Sequence, residues 1–425
     1  MTVTIFAGVL LAAMALGMPI AFALMVTGTA LMWHQDAFDS QIIAQNMING
    51  ADNFPLLAVP FFLLAGELMN AGGLSRRVVE VAGAFVGHIR GGLGYVAVFA
   101  AIVMASLSGS AVADTAAITA LLIPMMRNSG YNVSRAAGLM ASAGVIAPLV
   151  PPSLGFIVFG VAAGLSITKL FFAGIFPALL MGASLVFTWW LVSAKEKVKP
   201  QPRKSIREMA TAFINSFWAF LLPVIIIGGL KSGVFTPTEA SVTATVYSLL
   251  VGLFVYRELK FKDLYPVFLK AAKTSSVVMF LVAAALVSAW LITVANIPEQ
   301  VTEMLEPFLG NKLLLMLMMM VLVVIVGTAL DFIPTILILT PVLMPLVNAA
   351  GIDPIYFGVL FIMNNAIGLI TPPVGTVLNT VCGVARIRMD DVVVGVLPFL
   401  LAELAVLFLL VFVPSLVTVP ARWFY

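Results

Sequence analysis

Apolar runs fill most of this chain, and the polar positions that interrupt them sort the runs into two kinds. Seven runs are nearly unbroken and approach the about 20 residues that a helix needs to cross a bilayer: 3–31, 54–70, 170–193, 213–230, 238–256, 272–294 and 392–415. Four others are interrupted near the middle. Residues 93–129 and 311–349 carry small polar stretches, "SLSGSAVADT" and "VGTALDFIPT", and are expected to be re-entrant helical hairpins that enter and leave a membrane on one side. Residues 134–164 and 354–383 are broken by "APLVPPS" and "ITPPVGT". Each proline there lacks an N–H and frees a carbonyl one turn earlier, so these two runs are expected to be discontinuous helices.

The interrupted runs repeat. A shift of 221 residues lays Pro124, Gly130, Pro151, Pro152, Gly174 and Pro177 on Pro345, Gly351, Pro372, Pro373, Gly395 and Pro398. Upstream of that match, aligning Asp114 with Asp331 needs a four-residue gap. Five crossings separate the two hairpins, and an odd number turns the second copy over, which predicts an inverted repeat. Charge tests that topology independently. It gathers all but four of the 22 basic residues on one face, the exceptions being Lys169, Lys231, Lys312 and Arg422. The positive-inside rule makes the basic face cytoplasmic, with the N-terminus on it and the C-terminus opposite.

Composition agrees: 62% hydrophobic and 10% charged residues describe an all-α polytopic membrane protein. The run 3–31 has no basic segment before it and is long enough to span, so it is expected to be an uncleaved first helix. A net charge of +3 gives no footprint for nucleic acid. One cysteine, Cys382, forms no internal disulfide, and two distant histidines, His34 and His88, make no metal cluster. No GxxxxGK[ST] motif supplies an ATP site, and no nucleophile sits with a base inside an apolar run, which argues against an enzyme. A channel would need a continuous polar path, whereas two opposed blind hairpins suit alternating access.

Paired broken helices in an inverted repeat are the layout of a secondary transporter, in which freed carbonyls take cations and helix N-termini take anions. The hairpin tips add Ser106, Ser108, Gly109 and Ser110 in the first copy, and Gly327 and Thr328 in the second. Asp114 and Asp331 follow the tips, either as caps of the second arm or as cation ligands. Glu67 and Glu239 lie near helix ends, where an interfacial role suffices. Asn364, Asn365, Thr376 and Asn379 flank the second break and serve either a substrate or interhelical hydrogen bonds.

The segments "SLSGSAVADTAAI", "APLVPPS", "FTPTEA", "ILTPVLMPL", "GIDPIYFGV" and "GLITPPVGTVLN" resemble the signature segments of the large membrane subunit of tripartite ATP-independent periplasmic (TRAP) transporters. Within that family the chain is most similar to the sugar-acid systems of the 2,3-diketogulonate type. The resemblance implies sodium-coupled uptake of an organic acid, of the sugar-acid or C4-dicarboxylate class, across a bacterial inner membrane. It implies two partners, a small four-helix membrane subunit and a periplasmic binding protein, and Na+ as coupling ion with no other cofactor.

It also implies an elevator. On that scheme 1–92 are N-terminal scaffold helices, and 93–164 form the first hairpin and broken helix of a transport domain. Scaffold helices fill 165–310 with a basic cytoplasmic linker at 195–208, 311–383 form the second hairpin and broken helix, and 384–425 hold a last scaffold helix. The family's sodium sites, carried onto this chain, involve Ser106, Ser108 and Gly109 with Ala147, Val150 and Pro152, and Gly327 with Gly368, Thr371 and Val374. Substrate would lie near Ser110, Thr328, Thr376 and Asn379. Ala147 and Val150 stand where the second copy has Gly368 and Thr371. The competing reading within transport is a self-sufficient sodium/dicarboxylate symporter with similar hairpins.

Overall fold

Nineteen of the chain's helices fall into a frame and two matched repeats, and a short twentieth ends it; all are seen among residues 2–194, 198 and 202–424, which the computed structural model describes. Of the basic linker, 195–197 and 199–201 lie outside the described residues. The chain starts with α1 (Thr2–Ala15), α2 (Ile20–His34), α3 (Ser40–Ala51), α4 (Ala58–Ala71) and α5 (Leu74–Val86). The first repeat is α6 (Gly92–Ser108), α7 (Ala111–Asn128), α8 (Val133–Gly144), α9 (Leu154–Ala163) and α10 (Ile167–Ser193). Then come α11 (Ile206–Lys231), α12 (Pro237–Leu250), α13 (Phe261–Val294) and α14 (Ile297–Leu309). The second repeat is α15 (Lys312–Ala329), α16 (Phe332–Ala349), α17 (Pro354–Gly368), α18 (Thr376–Ala385) and α19 (Met389–Phe412), followed by α20 (Ser415–Ala421).

Seven helices among the described residues are long and apolar enough to cross a membrane. Six overlap the uninterrupted runs, and the seventh is α16, an arm of the second hairpin whose 18 residues reach spanning length. The single helix expected over 3–31 is instead α1 and α2, of 14 and 15 residues. At about 1.5 Å per residue neither reaches the about 30 Å of a bilayer core. The cause is local: Gly17 takes φ +78, and Pro19, with no N–H, caps α2. The placement of the N-terminus, which counted 3–31 as one crossing, has no single helix to rest on.

The repeat is sharper in the structure than in the sequence. α7 and α16 begin and end 221 residues apart, at Ala111 and Phe332 and at Asn128 and Ala349. Their caps match without a gap. Ser110 caps α7 by accepting from Ala113 N, and Asp331 caps α16 by accepting from Phe332 N. The gapped pairing of Asp114 with Asp331 is therefore incorrect. The two positions share the task of satisfying the first free N–H groups of an arm, and serine and aspartate both do it. Asn132 and Asp353, also 221 apart, cap α8 and α17. The Pro151–Pro152 and Pro372–Pro373 bonds are both cis.

Three hydrogen bonds between loop ends establish that the copies are inverted. Arg90 donates to Ala194 O and Arg127 to Ala385 O, which puts both ends of the α6–α7 hairpin beside the exits of α10 and α18. α8 leaves that end, and α9 continues past the break with a bend of 42° to the far end, from which α10 returns. The α15–α16 hairpin is held at its own base by Lys312, which donates to Gly351 O at 2.7 Å. The two hairpins thus open toward opposite ends. Helix packing obeys the same exchange: α7 lies on α18, and its mate α16 lies on α9.

Packing also groups the helices, with α4 against α6 and α13 against α16 joining the two groups. α1 to α4 and α11 to α13 pack on one another as a frame, and α6 to α9 and α15 to α18 form the second group. α10, α19 and α20 pack with the second group, on α8, α17 and each other. Their apolar faces fit it closely, for a Cβ on Gly138 of α8 would fall 2.3 Å from the backbone of Gly395 on α19. The amphipathic α5 and α14, matched by a shift of 223 at both ends, are the arms that join frame to hairpins.

Several basic residues near the start of α5 and of α13 are engaged in ion pairs. Arg76 and Arg77 both bond Glu258, each at 2.6 Å, Arg77 lies over the Tyr256 ring, and Lys270 pairs with Glu67 at 2.8 Å. At the start of α10, the end away from Arg90, Phe172 stacks on Phe424, whose ring Lys231 faces. Glu239 completes a capping box with Thr236 at the start of α12.

Candidate functional site

Each hairpin tip meets a broken helix through backbone. In the first copy α6 ends at Ser108, Gly109 takes the left-handed φ of +62, and α7 starts from Ser110. A Cβ on Gly109 would fall 2.3 Å from Pro152 O, so only glycine lets the tip lie against the carbonyl that the double proline presents. Ser153 bridges the break, donating to Pro148 O and accepting from Phe156 N to start α9. Ala147 and Val150 are buried in the break with it.

The remaining first-copy groups are turned inward. Ser106 Oγ donates to Val103 O in its own helix, and Ser108 Oγ donates to Asp114 Oδ1 at 2.5 Å. Asp114 is buried, and its Oδ2 has no partner. Thr115 and Thr119, along the next turns of α7, and Ser142 on α8 are also buried with unpartnered hydroxyls. Thr115 Oγ1 fills the space left by Gly144 of α8, where any Cβ would collide with it. The first copy is thus a closed, polar seam between hairpin and broken helix.

In the second copy Gly327, one turn from the tip, crosses Gly368 at the end of α17. Gly327 O lies 3.1 Å from where a Cβ of Gly368 would be. Asn365 braces this crossing from one turn earlier: its Nδ2 donates to Phe332 O at 2.7 Å, and its buried Oδ1 has no partner. Between α17 and α18 the chain runs through Thr371, Pro372, Pro373, Val374 and Gly375, and the carbonyls of Thr371, Pro372 and Pro373 accept no hydrogen bond among the described residues. Thr371 Oγ1 donates back to Ile367 O at 2.8 Å, and Val374 O accepts from Asn379 Nδ2 at 2.9 Å.

This second seam is open. Asp331, Pro373, Val374 and Asn379 are exposed, whereas residues 141–160 around the first break are all buried. Thr376 Oγ1 donates to Asp331 Oδ1 at 3.3 Å, tying the start of α18 to the tip. Thr328 Oγ1 donates to Ile325 O, and Ser110 is engaged as a cap. The site residues drawn from the resemblance are therefore brought together pairwise, Gly109 with Pro152 and Gly327 with Gly368, while Thr376 and Asn379 stand beside Asp331 and Val374. Sequence reasoning passed over Ser153, whose signal is its place directly after a double proline, and Glu403, a lone acid inside the apolar run of α19.

The arrangement supplies oxygen ligands from backbone, hydroxyl and amide groups, and no cluster of three His, Cys, Asp or Glu occurs among the described residues. Hard oxygen donors of this kind suit an alkali cation and not a transition metal. Two opposed hairpins, each set against a broken helix, define an inverted-repeat membrane transporter.

Comparison with known proteins places the chain more narrowly. Residues 7–416 match the model of the DctM component of tripartite ATP-independent periplasmic transporters. The 2,3-diketo-L-gulonate TRAP transporter large permease protein of Escherichia coli K12 is 56% identical over 423 residues, covering 100% of both chains. The C4-dicarboxylate TRAP transporter large permease protein of Pseudomonas aeruginosa is 36% identical over 395 residues, covering 93% of this chain and 92% of that one. Among solved structures, the YdaH transporter of Alcanivorax borkumensis, described as having an unusual topology, superposes with a TM-score of 0.60 over 87% of this chain and 86% of its own, at 15% identity. The chain belongs to the DctM family: it is a large permease subunit of a TRAP transporter, not an enzyme.

Proposed function

We propose that this subunit carries out sodium-coupled uptake of an organic acid, of the sugar-acid or C4-dicarboxylate class, across the inner membrane. The observation that carries the reading is the crossing of Gly327 on Gly368 beside three unbonded carbonyls, open on the side of Asp331, Thr376 and Asn379. Sodium sits at each seam, held at the first by Gly109 and Pro152 with Ser106, Ser108, Ala147 and Val150, and at the second by Gly327, Gly368, Thr371 and Val374. The substrate carboxylate lies against Thr328, Thr376, Asn379 and Ser110, held by helix N-termini and bound cations, because the hairpin tips and the two breaks carry no basic residue among the described residues. α6 to α10 and α15 to α20 move as the transport body of an elevator, with both hairpins re-entrant, while the frame stays fixed and α5 and α14 follow as arms. The end bearing Arg76, Arg90 and Arg127 faces the cytoplasm, and the C-terminus faces the periplasm.

A small four-helix membrane subunit and a periplasmic binding protein complete the system. The sugar-acid assignment draws on the 56% identical permease for 2,3-diketo-L-gulonate, and the dicarboxylate class on the more distant one. Reconstitution tests it. Uptake of 2,3-diketo-L-gulonate into liposomes holding both membrane subunits is expected only with the binding protein outside and sodium directed inward. Uptake that persists without the binding protein would indicate a self-sufficient symporter, and uptake without sodium would remove the coupling ion.

A further inference from the structure

α19 carries one acid in the middle of its apolar run. Glu403 is 0% exposed, on the inward face that also holds Val396, Phe399, Leu407 and Leu410, and neither carboxyl oxygen has a hydrogen-bond partner. α19 packs on α8, α10, α15, α17, α18 and α20, and the charges of those helices are confined to their ends. Arg135 lies in the first turn of α8, Lys169 in the first turn of α10 and Lys312 at the start of α15. Asp353 caps α17, and Arg386 and Arg422 follow α18 and α20. The other titratable groups on these elements are Tyr356, whose hydroxyl donates to Leu410 O at 2.9 Å, and Cys382, beside Met389. Asp390 and Asp391 of α19 itself lie about 18 Å along the axis from Glu403. Among the described residues of these helices, no counter-charge stands at the level of Glu403.

A second orphan does. The Tyr356–Leu410 bond sets the antiparallel register of α17 and α19. From it, Glu403 on α19 and Asn364 on α17 are each about 10–12 Å along their helices, which puts them at one level. Asn364 Nδ2 donates to Met320 O of α15 at 2.6 Å, so its buried Oδ1 is left an acceptor without a donor. An ionised carboxylate held there with no partner is strongly unfavourable, whereas the neutral acid has one O–H to give.

We propose that Glu403 is a proton-binding site of the body that carries the two breaks, loaded whenever that body is packed as here, and that the body moves only with the proton in place. The proton adds to one carboxylate oxygen and leaves to water when that packing opens. The inference rests on the transport reading above, and two readouts keep the failures apart. In infrared difference spectra of the complete membrane complex at neutral pH, wild type minus Glu403→Gln, the carbonyl band of a protonated carboxylic acid is expected. A carboxylate signature in its place overturns the proton site whatever the substrate.

Uptake of 2,3-diketo-L-gulonate by the full system is expected to be constant at low pH, where Glu403 is protonated, and to fall about tenfold per pH unit as rising pH ionises it. Glu403→Gln, which mimics the protonated acid, is expected to flatten that profile, and Glu403→Asp to keep a fall. A flat wild-type profile, or the same fall in Glu403→Gln, overturns the coupling. No uptake by the wild type counts against the transport reading, and the infrared band then decides the proton site alone.

Discussion

Gly109 and Gly368 are the positions at which one backbone rests on another, and both are intolerant of a side chain for stated reasons. Gly109→Ala puts a Cβ 2.3 Å from Pro152 O at a φ of +62. The left-handed backbone alone is expected to lower thermal stability by about 1–2 kcal/mol, measured on the purified complex. Gly368→Val forces the Gly327 crossing apart, and it is expected to raise the sodium concentration for half-maximal uptake about tenfold, the equivalent of about 1.4 kcal/mol. Thr371→Val, which removes a hydroxyl oxygen at the same seam, is expected to shift it in the same direction; an unchanged sodium dependence in both would count against the second site. Asp331 tests the repeat at one residue. Asp331→Ala removes the cap of α16 and is expected to cost about 1 kcal/mol, whereas Asp331→Ser keeps it, since Ser110 performs that task in the first copy.

At the level of elements, the breaks were legible because their cause is local. A double proline lacks two N–H groups whatever surrounds it, so 134–164 and 354–383 could be read as broken before any packing was known. The split of 3–31 has an equally local cause, Gly17 with Pro19, but one glycine and one proline in an apolar run are also compatible with a kinked single helix. Only the left-handed φ of Gly17 distinguishes the two. Glu403 was illegible for the opposite reason, since one acid does not lower the apolarity of a 24-residue helix enough to mark it. The match of Ser110 to Asp331 was hidden by looking for identical residues where the shared property is a cap. The arm α5 yields a prediction of small effect: its Arg76 and Arg77 share Glu258, which is partly exposed, so Glu258→Gln is expected to lower stability by less than about 1 kcal/mol and leave uptake intact.

For the whole molecule, the inversion of the repeat followed from counting crossings and from charge, and the end contacts of Arg90, Arg127 and Lys312 agree with it. The division into bodies did not follow, because sequence order says nothing of whether α10 and α19 pack on the frame or on the broken helices. The elevator proposed above depends on that division: on that proposal, a body holding both seams slides along α4 and α13. Gly66 of α4 and Ser108 at the first tip offer a direct test, since a Cβ on Gly66 would lie 3.1 Å from Ser108 Cβ, a few tenths of an ångström short of disulfide geometry. In a Cys382→Ser background, the pair Gly66→Cys and Ser108→Cys is to be oxidised in reconstituted liposomes and uptake measured before and after reduction. The two single-cysteine variants, treated with the same oxidant, serve as controls. Because Ser108 is also a proposed ligand of the first sodium, the reduced pair sets the baseline: the account predicts that oxidation stops the uptake the reduced pair retains, that reduction restores that level, and that oxidant leaves the single-cysteine controls unchanged. Undiminished uptake by the fully cross-linked Gly66–Ser108 pair would contradict it.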